Sequence, residues 1–225
     1  MYNQTPVHEI ANLDLLKIIP RNVQYLLEVG CSSGALAREY KIINPNCHYK
    51  GMEIQDSYAE LAKRYCDSIV VGDIECQDEF FWDANAKIQC WIFADVLEHL
   101  KNPWECLKKI YNVIPEDGSV IACIPNIQHW SVPVNISLGN FRYQDIGLMD
   151  KTHLRWFTRR TIIELFESSG FDVIELVPRI YDEPLREKFL SIIQTMATSA
   201  GGNASEATRD ALPLQFLLRA IKKKR

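Results

Sequence analysis

The chain has 225 residues, of which 47% are apolar and 24% charged. That mixture excludes intrinsic disorder and collagen-like repeats, and a domain of this size buries roughly 70% of its unfolded surface without needing disulfides or a metal. A net charge of −4 and a pI near 5.8 argue against a nucleic-acid binder that relies on broad phosphate neutralisation.

The basic tip Lys222, Lys223, Lys224 and Arg225 reads as a solvated end. Seven cysteines (31, 47, 66, 76, 90, 106, 123) are scattered without a CxxC pair, which points to free thiols in a reducing compartment. The first residues lack the basic start and apolar core of a signal peptide. No apolar stretch reaches the roughly 18 residues of a membrane helix, so a soluble, cytoplasmic protein is expected.

Short apolar runs alternate with helical segments, the pattern of a parallel sheet covered on both faces. A helix is predicted from Glu9 to Ile18, within an N-terminal segment 1–22, and is ended by Pro20. The first strand is Val23–Val29, followed by a turn over Gly30–Gly34 and a helix whose Leu36, Ala37, Tyr40 and Ile43 share one face. Further strands are predicted at His48–Ile54, Ser68–Val71, Ile88–Ala94, Ser119–Ile124, Phe171–Val177 and Leu214–Ile221, with helices at 57–65, 103–114 and 161–169. A segment over 126–157, rich in aromatic, Asn, Asp and His residues, breaks this rhythm. So does an insertion over 181–212, where Leu185, Phe189, Ile192, Ile193 and Met196 make a helical stripe and 199–206 reads as a mobile loop. One domain spanning 1–225 is expected: a seven-stranded mixed α/β sheet, with strands one to six parallel and the seventh antiparallel.

The chemistry-bearing motifs sit at strand ends. The first is EVGCSSG (28–34), a turn in which glycine lets a ligand approach the backbone. Ser32 replaces the middle glycine that admits a pyrophosphate, which disfavours NAD or FAD; a tight structural turn is the alternative. GMEIQD places Glu53 at the tip of the second strand, where a carboxylate can accept both hydroxyls of a ribose. VVGDIE puts Asp73 and Ile74 at the third tip, a pairing that suits adenine. FADVLEHL (93–100) carries Asp95 and His99; if the chain is helical from Asp95, they lie four positions apart on one face. A carboxylate beside a histidine fixes its tautomer and keeps it basic.

These four motifs, in this order, resemble the class I S-adenosylmethionine-dependent methyltransferases, over about residues 20–180. The resemblance implies that Glu28, Gly30, Cys31 and Gly34 cradle the methionine end of the cofactor. It further implies that Glu53 holds the ribose with Ile54 beside the adenine, that Asp73 and Ile74 frame the adenine, and that the backbone at Ala94 and Asp95 meets the methionine amino group. A narrower resemblance, carried by IPNIQHW, NFRYQDIGLMD and KTHLRWFT, is to methyltransferases encoded with, or fused to, bacterial glycosyltransferases for surface polysaccharides. It implies a glycan or other small-molecule acceptor, with a glycosyltransferase as partner or fused domain.

Asn126, His129, Trp130, Tyr143, Asp150 and Arg155 are residue types that stack on or hydrogen-bond a polyhydroxylated acceptor. A sugar hydroxyl needs a base, for which His153 and His99 are the candidates, with Asp95 or Asp150 to orient it. His153 is preferred because it lies in the acceptor segment. No spacing of Cys, His, Asp and Glu argues for a metal, and none is expected. A quinone, lipid or amine acceptor, a non-catalytic module scaffolding a glycosyltransferase, and a nucleotide-binding oxidoreductase are the alternatives.

Overall fold

The computed structural model describes residues 6–224. Residues 1–5 of the N-terminal segment and Arg225 of the basic tip lie outside the described residues. In chain order the elements are α1 (Leu13–Ile18), β1 (Tyr25–Val29), α2 (Ala35–Ile43), β2 (His48–Glu53), α3 (Asp56–Ala62), β3 (Ser68–Val71), α4 (Glu79–Ala84) and β4 (Cys90–Ala94). There follow α5 (Pro103–Val113), β5 (Ser119–Pro125), α6 (Ser131–Ser137), α7 (Arg159–Ser168), β6 (Phe171–Arg179), α8 (Arg186–Ser199), α9 (Ala204–Ala211) and β7 (Gln215–Lys222). Single 3-10 turns, Ile74–Cys76 and Leu97–His99, follow β3 and β4.

The strands form one sheet in the order β3-β2-β1-β4-β5-β7-β6. Neighbours from β3 to β5 pair in parallel, while β7 runs antiparallel between β5 and β6. Six strands therefore share one direction and the seventh opposes them, as the sequence predicts. The fold is Rossmann-like. The period of two sorts side chains between the faces. Leu27, Val29, Trp91, Phe93, Val120, Ala122 and Ile124 join the core under α4, α5 and α7. Leu26, Cys90, Ile92, Ile121 and Cys123 join the core under α1 and α2. Burial on both faces explains why these strands read as near-continuous apolar runs.

Three expectations are corrected. The first helix begins at Leu13, because the side chain of Asn12 accepts the Leu15 N–H at 3.1 Å and fixes the start there. The stretch 199–206 is not one loop. The chain turns at Gly201 and Gly202, and Asn203 then caps α9 by accepting the N–H groups of Ser205 and Glu206. Leu185 precedes α8 in a left-handed conformation (φ 69°) and is not part of its stripe.

Candidate active site

Strand order reverses at β1, so the carboxyl ends of β1 and β4 border the crevice where sheets of this kind hold ligands. The turn leaving β1 is built on left-handed backbone: Gly30 has φ 70°, Ser32 48° and Gly34 78°. A Cβ on Gly30 would lie 2.6 Å from the Val96 side chain, so only glycine fits. Ser32 holds a conformation that ordinarily disfavours a side chain. Its N–H is anchored by the carboxylate of Glu53 at 2.8 Å. The other carboxylate oxygen accepts the Gln55 N–H at 3.0 Å. Glu53 thus ties the tip of β2 to the first turn, and each oxygen keeps one lone pair for a ligand hydroxyl.

The remaining strand-tip residues divide by direction. Glu28 is buried and accepts the Tyr49 hydroxyl at 2.7 Å. Burial pushes its carboxyl up to about 8, against the opposing pull of the Tyr49 bond. The Cys31 thiol faces Cys66 and the core, and its N–H bonds the Met52 carbonyl. Ile54 is 45% exposed at the rim. Asp73 spends one oxygen capping the Ile74–Cys76 turn by accepting the Glu75 N–H at 2.8 Å, and Ile74 itself is buried.

Asp95 departs from expectation. It adopts φ 56°, so no helix starts there and only the turn Leu97–His99 follows. Its N–H bonds the Cys123 carbonyl, and its carboxylate accepts from the Gln215 amide at 2.5 Å and from the Cys123 thiol at 3.4 Å. Burial raises the Asp95 carboxyl against these bonds. The structure gives His99 a different neighbour, and the Asp95–His99 pairing is not formed. Residues 8–12 lie across this edge: the His8 N–H bonds Ser32 Oγ at 2.9 Å, Ser33 Oγ donates to the His8 carbonyl at 2.5 Å, and Asn12 reaches the Cys123 thiol. A separate cavity of about 410 Å³ opens beside α1 and β6, lined by Asp14, Lys17, Val177, Arg179 and Tyr181, and holds none of the strand-tip residues.

On the acceptor side, three sequence candidates are occupied by structure. Asn126 is fully buried, its amide donating to the Asp210 and Pro213 carbonyls at 2.8 Å each and its oxygen accepting the Gln128 N–H. His129 is buried with Nε2 3.1 Å from Glu183, which also accepts the Trp130 indole N–H at 2.8 Å. Trp130 stacks on Phe189 of α8, with centroids 5.4 Å apart. These three hold the 181–212 insertion against β5 and are not free for an acceptor. Arg155 bonds the carbonyls of Leu154 and Lys101. Tyr143 is 62% exposed, and Phe141 and Trp156 are also open.

The fold does bring His99 and His153 together, their ring centroids 4.8 Å apart and nearly perpendicular. The carbonyl of Glu98 accepts the N–H groups of both Leu154 (2.8 Å) and Arg155 (3.0 Å), which pins residues 152–155 onto the turn after β4. His99 Nδ1 faces the carbonyl and hydroxyl oxygens of Thr152 at 3.2 and 3.1 Å. Asp150 accepts the Thr152 hydroxyl at 2.6 Å and its N–H at 2.7 Å. Of the two carboxylates expected to orient a histidine, Asp150 is the one connected, through Thr152. Burial lowers both imidazoles, His153 to about 4 with His99 adding to the effect. Both are neutral at pH 7.

Glu98 lies beside them, 1% exposed, with Oε1 3.9 Å from His153 Nε2. Sequence reasoning passed over Glu98, Thr152 and Tyr49. The adjacent Glu98-His99 pair was the available signal, hidden by reading the stretch as a helix.

Residues 7–176 match the family described as the methyltransferase domain. The chain belongs to that family. No curated protein matches it significantly. Among solved structures it is similar to a chain of the Haloferax volcanii complex between the Trm112 methyltransferase activator and a methyltransferase (16% identity, 95% of this chain and 88% of that one, TM-score 0.62). It is similar to a Thermotoga maritima SAM-dependent methyltransferase (16%, 94% and 87%, TM-score 0.61). It also resembles the O-methyltransferase NcsB1 from neocarzinostatin biosynthesis, solved with S-adenosyl-L-homocysteine and 1,4-dihydroxy-2-naphthoic acid (12%, 93% and 52%, TM-score 0.56). The protein is a methyltransferase, and S-adenosylmethionine is its cofactor.

Proposed function

We propose that the enzyme methylates a hydroxyl of a glycan or glycan precursor in polysaccharide biosynthesis, alongside a glycosyltransferase. The observation that carries the reading is the pair of imidazoles His99, in the turn after β4, and His153, in the segment after β5, with ring centroids 4.8 Å apart. An alcohol must shed its proton as it is alkylated, whereas a neutral amine attacks before deprotonation. The exposed rings of Phe141, Tyr143 and Trp156 are apolar faces on which a sugar can stack. Seven free cysteines suit a reducing compartment such as the cytoplasm.

S-adenosylmethionine would be held at the turn 30–34, with Glu53 for its ribose and Ile54, Asp73 and Ile74 for its adenine. The backbone of Cys31, Ala94 and Asp95 lines the methionine end, with Glu28 behind it. The acceptor oxygen attacks the methyl carbon in line. S-adenosylmethionine would supply the methyl group, its C–S bond giving way to the new C–O bond with the electron pair returning to sulfur, and the His99–His153 pair would take the hydroxyl proton, with His153 as acceptor. Holding the two reactants in line supplies much of the acceleration. Chain 1–225 acts as one catalytic domain, with 126–157 on the acceptor side.

The test is single-turnover methylation of nucleotide sugars and oligosaccharides, read by mass, with S-adenosylhomocysteine affinity measured in parallel. His153→Ala is expected to slow turnover by about 10²–10⁴-fold while affinity for the product cofactor is kept. Normal turnover by His153→Ala, or methylation confined to amines, would overturn the reading.

A further inference from the structure

We propose that Glu98, His99 and His153 form a binding site for one divalent transition-metal cation, Zn²⁺ or a first-row neighbour. The first reason is an unanswered carboxylate. Glu98 is 1% exposed, and neither side-chain oxygen has a hydrogen-bond partner among the described residues. An isolated carboxylate is costly to bury, and a protonated one would still want an acceptor. The His153 nitrogen at 3.9 Å is too far to provide either.

The second reason is the convergence of lone pairs. Each of the three side chains offers one ligand atom, and these atoms all lie within 4.8 Å of one another. Atoms bonded at about 2.1 Å to one tetrahedral ion lie about 3.4 Å apart. The His153–Glu98 separation is already within half an ångström of that spacing, and the widest gap closes by about 1.4 Å of side-chain rotation.

The third reason is the outer contacts. Metal-binding histidines characteristically give their second ring nitrogen to a carbonyl or carboxylate, which fixes the tautomer. His99 meets the Thr152 carbonyl through Nδ1, with Asp150 behind Thr152. That leaves Nε2 of His99 for a metal, while His153 turns Nε2 toward Glu98. Two imidazoles and a carboxylate suit Zn²⁺ and its neighbours, and three protein ligands leave a coordination position open. The sequence conceals the set because His153 stands 54 residues after His99; the Glu98 carbonyl, bonded by Leu154 and Arg155, joins the two segments.

The site rests on the hydroxyl-methylating reading for its use and revises one role within it: with His153 as a ligand, a cation at the open position would acidify the alcohol, whose proton leaves to water, so His153→Ala slows turnover under either role and metal titration separates the two. Its existence is tested separately. The full chain, stripped with a chelator and carrying Cys76→Ser to remove its exposed thiol, is titrated with Co²⁺ by visible absorption and with Zn²⁺ by calorimetry.

One equivalent is expected, with cobalt ligand-field bands and no thiolate charge transfer. Glu98→Gln and His99→Ala are each expected to weaken binding by more than about 100-fold, and Thr152→Ala by about 10-fold. Retained S-adenosylhomocysteine binding certifies each fold, and His99→Asn replaces any variant that does not fold. Absence of binding, or one-equivalent binding indifferent to Glu98 and His99, overturns the site. Full turnover after chelation overturns the metal's part in the reaction and leaves methyl transfer standing. Metal bound at these residues without turnover on any hydroxyl acceptor keeps the site and removes the proposed acceptor.

Discussion

Glu53→Gln separates the two tasks assigned to the tip of β2. The native carboxylate accepts the Ser32 N–H at 2.8 Å and the Gln55 N–H at 3.0 Å from a position only 4% exposed. An amide has one acceptor oxygen, so one of those N–H groups must face the new NH₂. Leaving a buried donor unpaired costs about 1–3 kcal/mol, which for a domain of this size lowers Tm by about 2–12 °C. A ribose hydroxyl that loses its charged acceptor costs a similar amount again, raising Kd about 5- to 150-fold.

Calorimetry with S-adenosylhomocysteine and thermal unfolding read the two effects separately. Comparing adenosine with 2′-deoxyadenosine isolates the hydroxyl contact as a coupling between ligand and side chain. The wild type should discriminate between the nucleosides and Glu53→Gln should not. If Tm falls while cofactor affinity and discrimination stay unchanged, Glu53 serves only the turn, and its ribose role is refuted.

Glu28 predicts a pH dependence with a definite sign. Its folded-state carboxyl stands near 8 because of burial, against about 4.5 unfolded, so the native state holds a proton that the unfolded chain releases and stability falls between about pH 4.5 and 8. The ceiling on this slope is about 5 kcal/mol over that range. Urea unfolding of Glu28→Gln should show a flatter profile, and parallel profiles would sink the argument. Glu183→Ala strips both the His129 ring and the Trp130 indole of their acceptor, so Tm should drop by about 2–12 °C with S-adenosylhomocysteine affinity unchanged. Lost cofactor binding in that variant would place the insertion at the crevice.

The sheet was legible because its information is local. Each apolar run of β1, β4 and β5 is buried on both faces, and each ends in glycine, proline or a carboxylate that marks where the strand stops. The strand-tip positions of Glu28, Glu53 and Asp73 then follow from chain order alone. The α1 start was misread because Glu9 and Ile10 fit a helical period, while the decisive signal was one capping side chain at Asn12. Asp95 was misread for a deeper reason. Nothing in FADVLEHL announces a left-handed residue, since what holds it there comes from Cys123 and Gln215, the latter 120 positions away.

The acceptor side resists sequence reading for the same reason. Asn126, His129 and Trp130 look like ligand-binding residues by type, yet their polar atoms bond to Asp210, Pro213 and Glu183, partners that only the packed insertion supplies. A polar residue near a site is available to a ligand only when the fold leaves its hydrogen-bonding capacity unspent. Applied to this chain, that criterion removes Asn126, His129 and Trp130 and retains Glu53, with a lone pair on each oxygen. It promotes Glu98, whose buried oxygens have no hydrogen-bond partner among the described residues. The most informative residue of the acceptor side is therefore one whose neighbours, His99 and His153, were visible in the sequence while its unmet need was not.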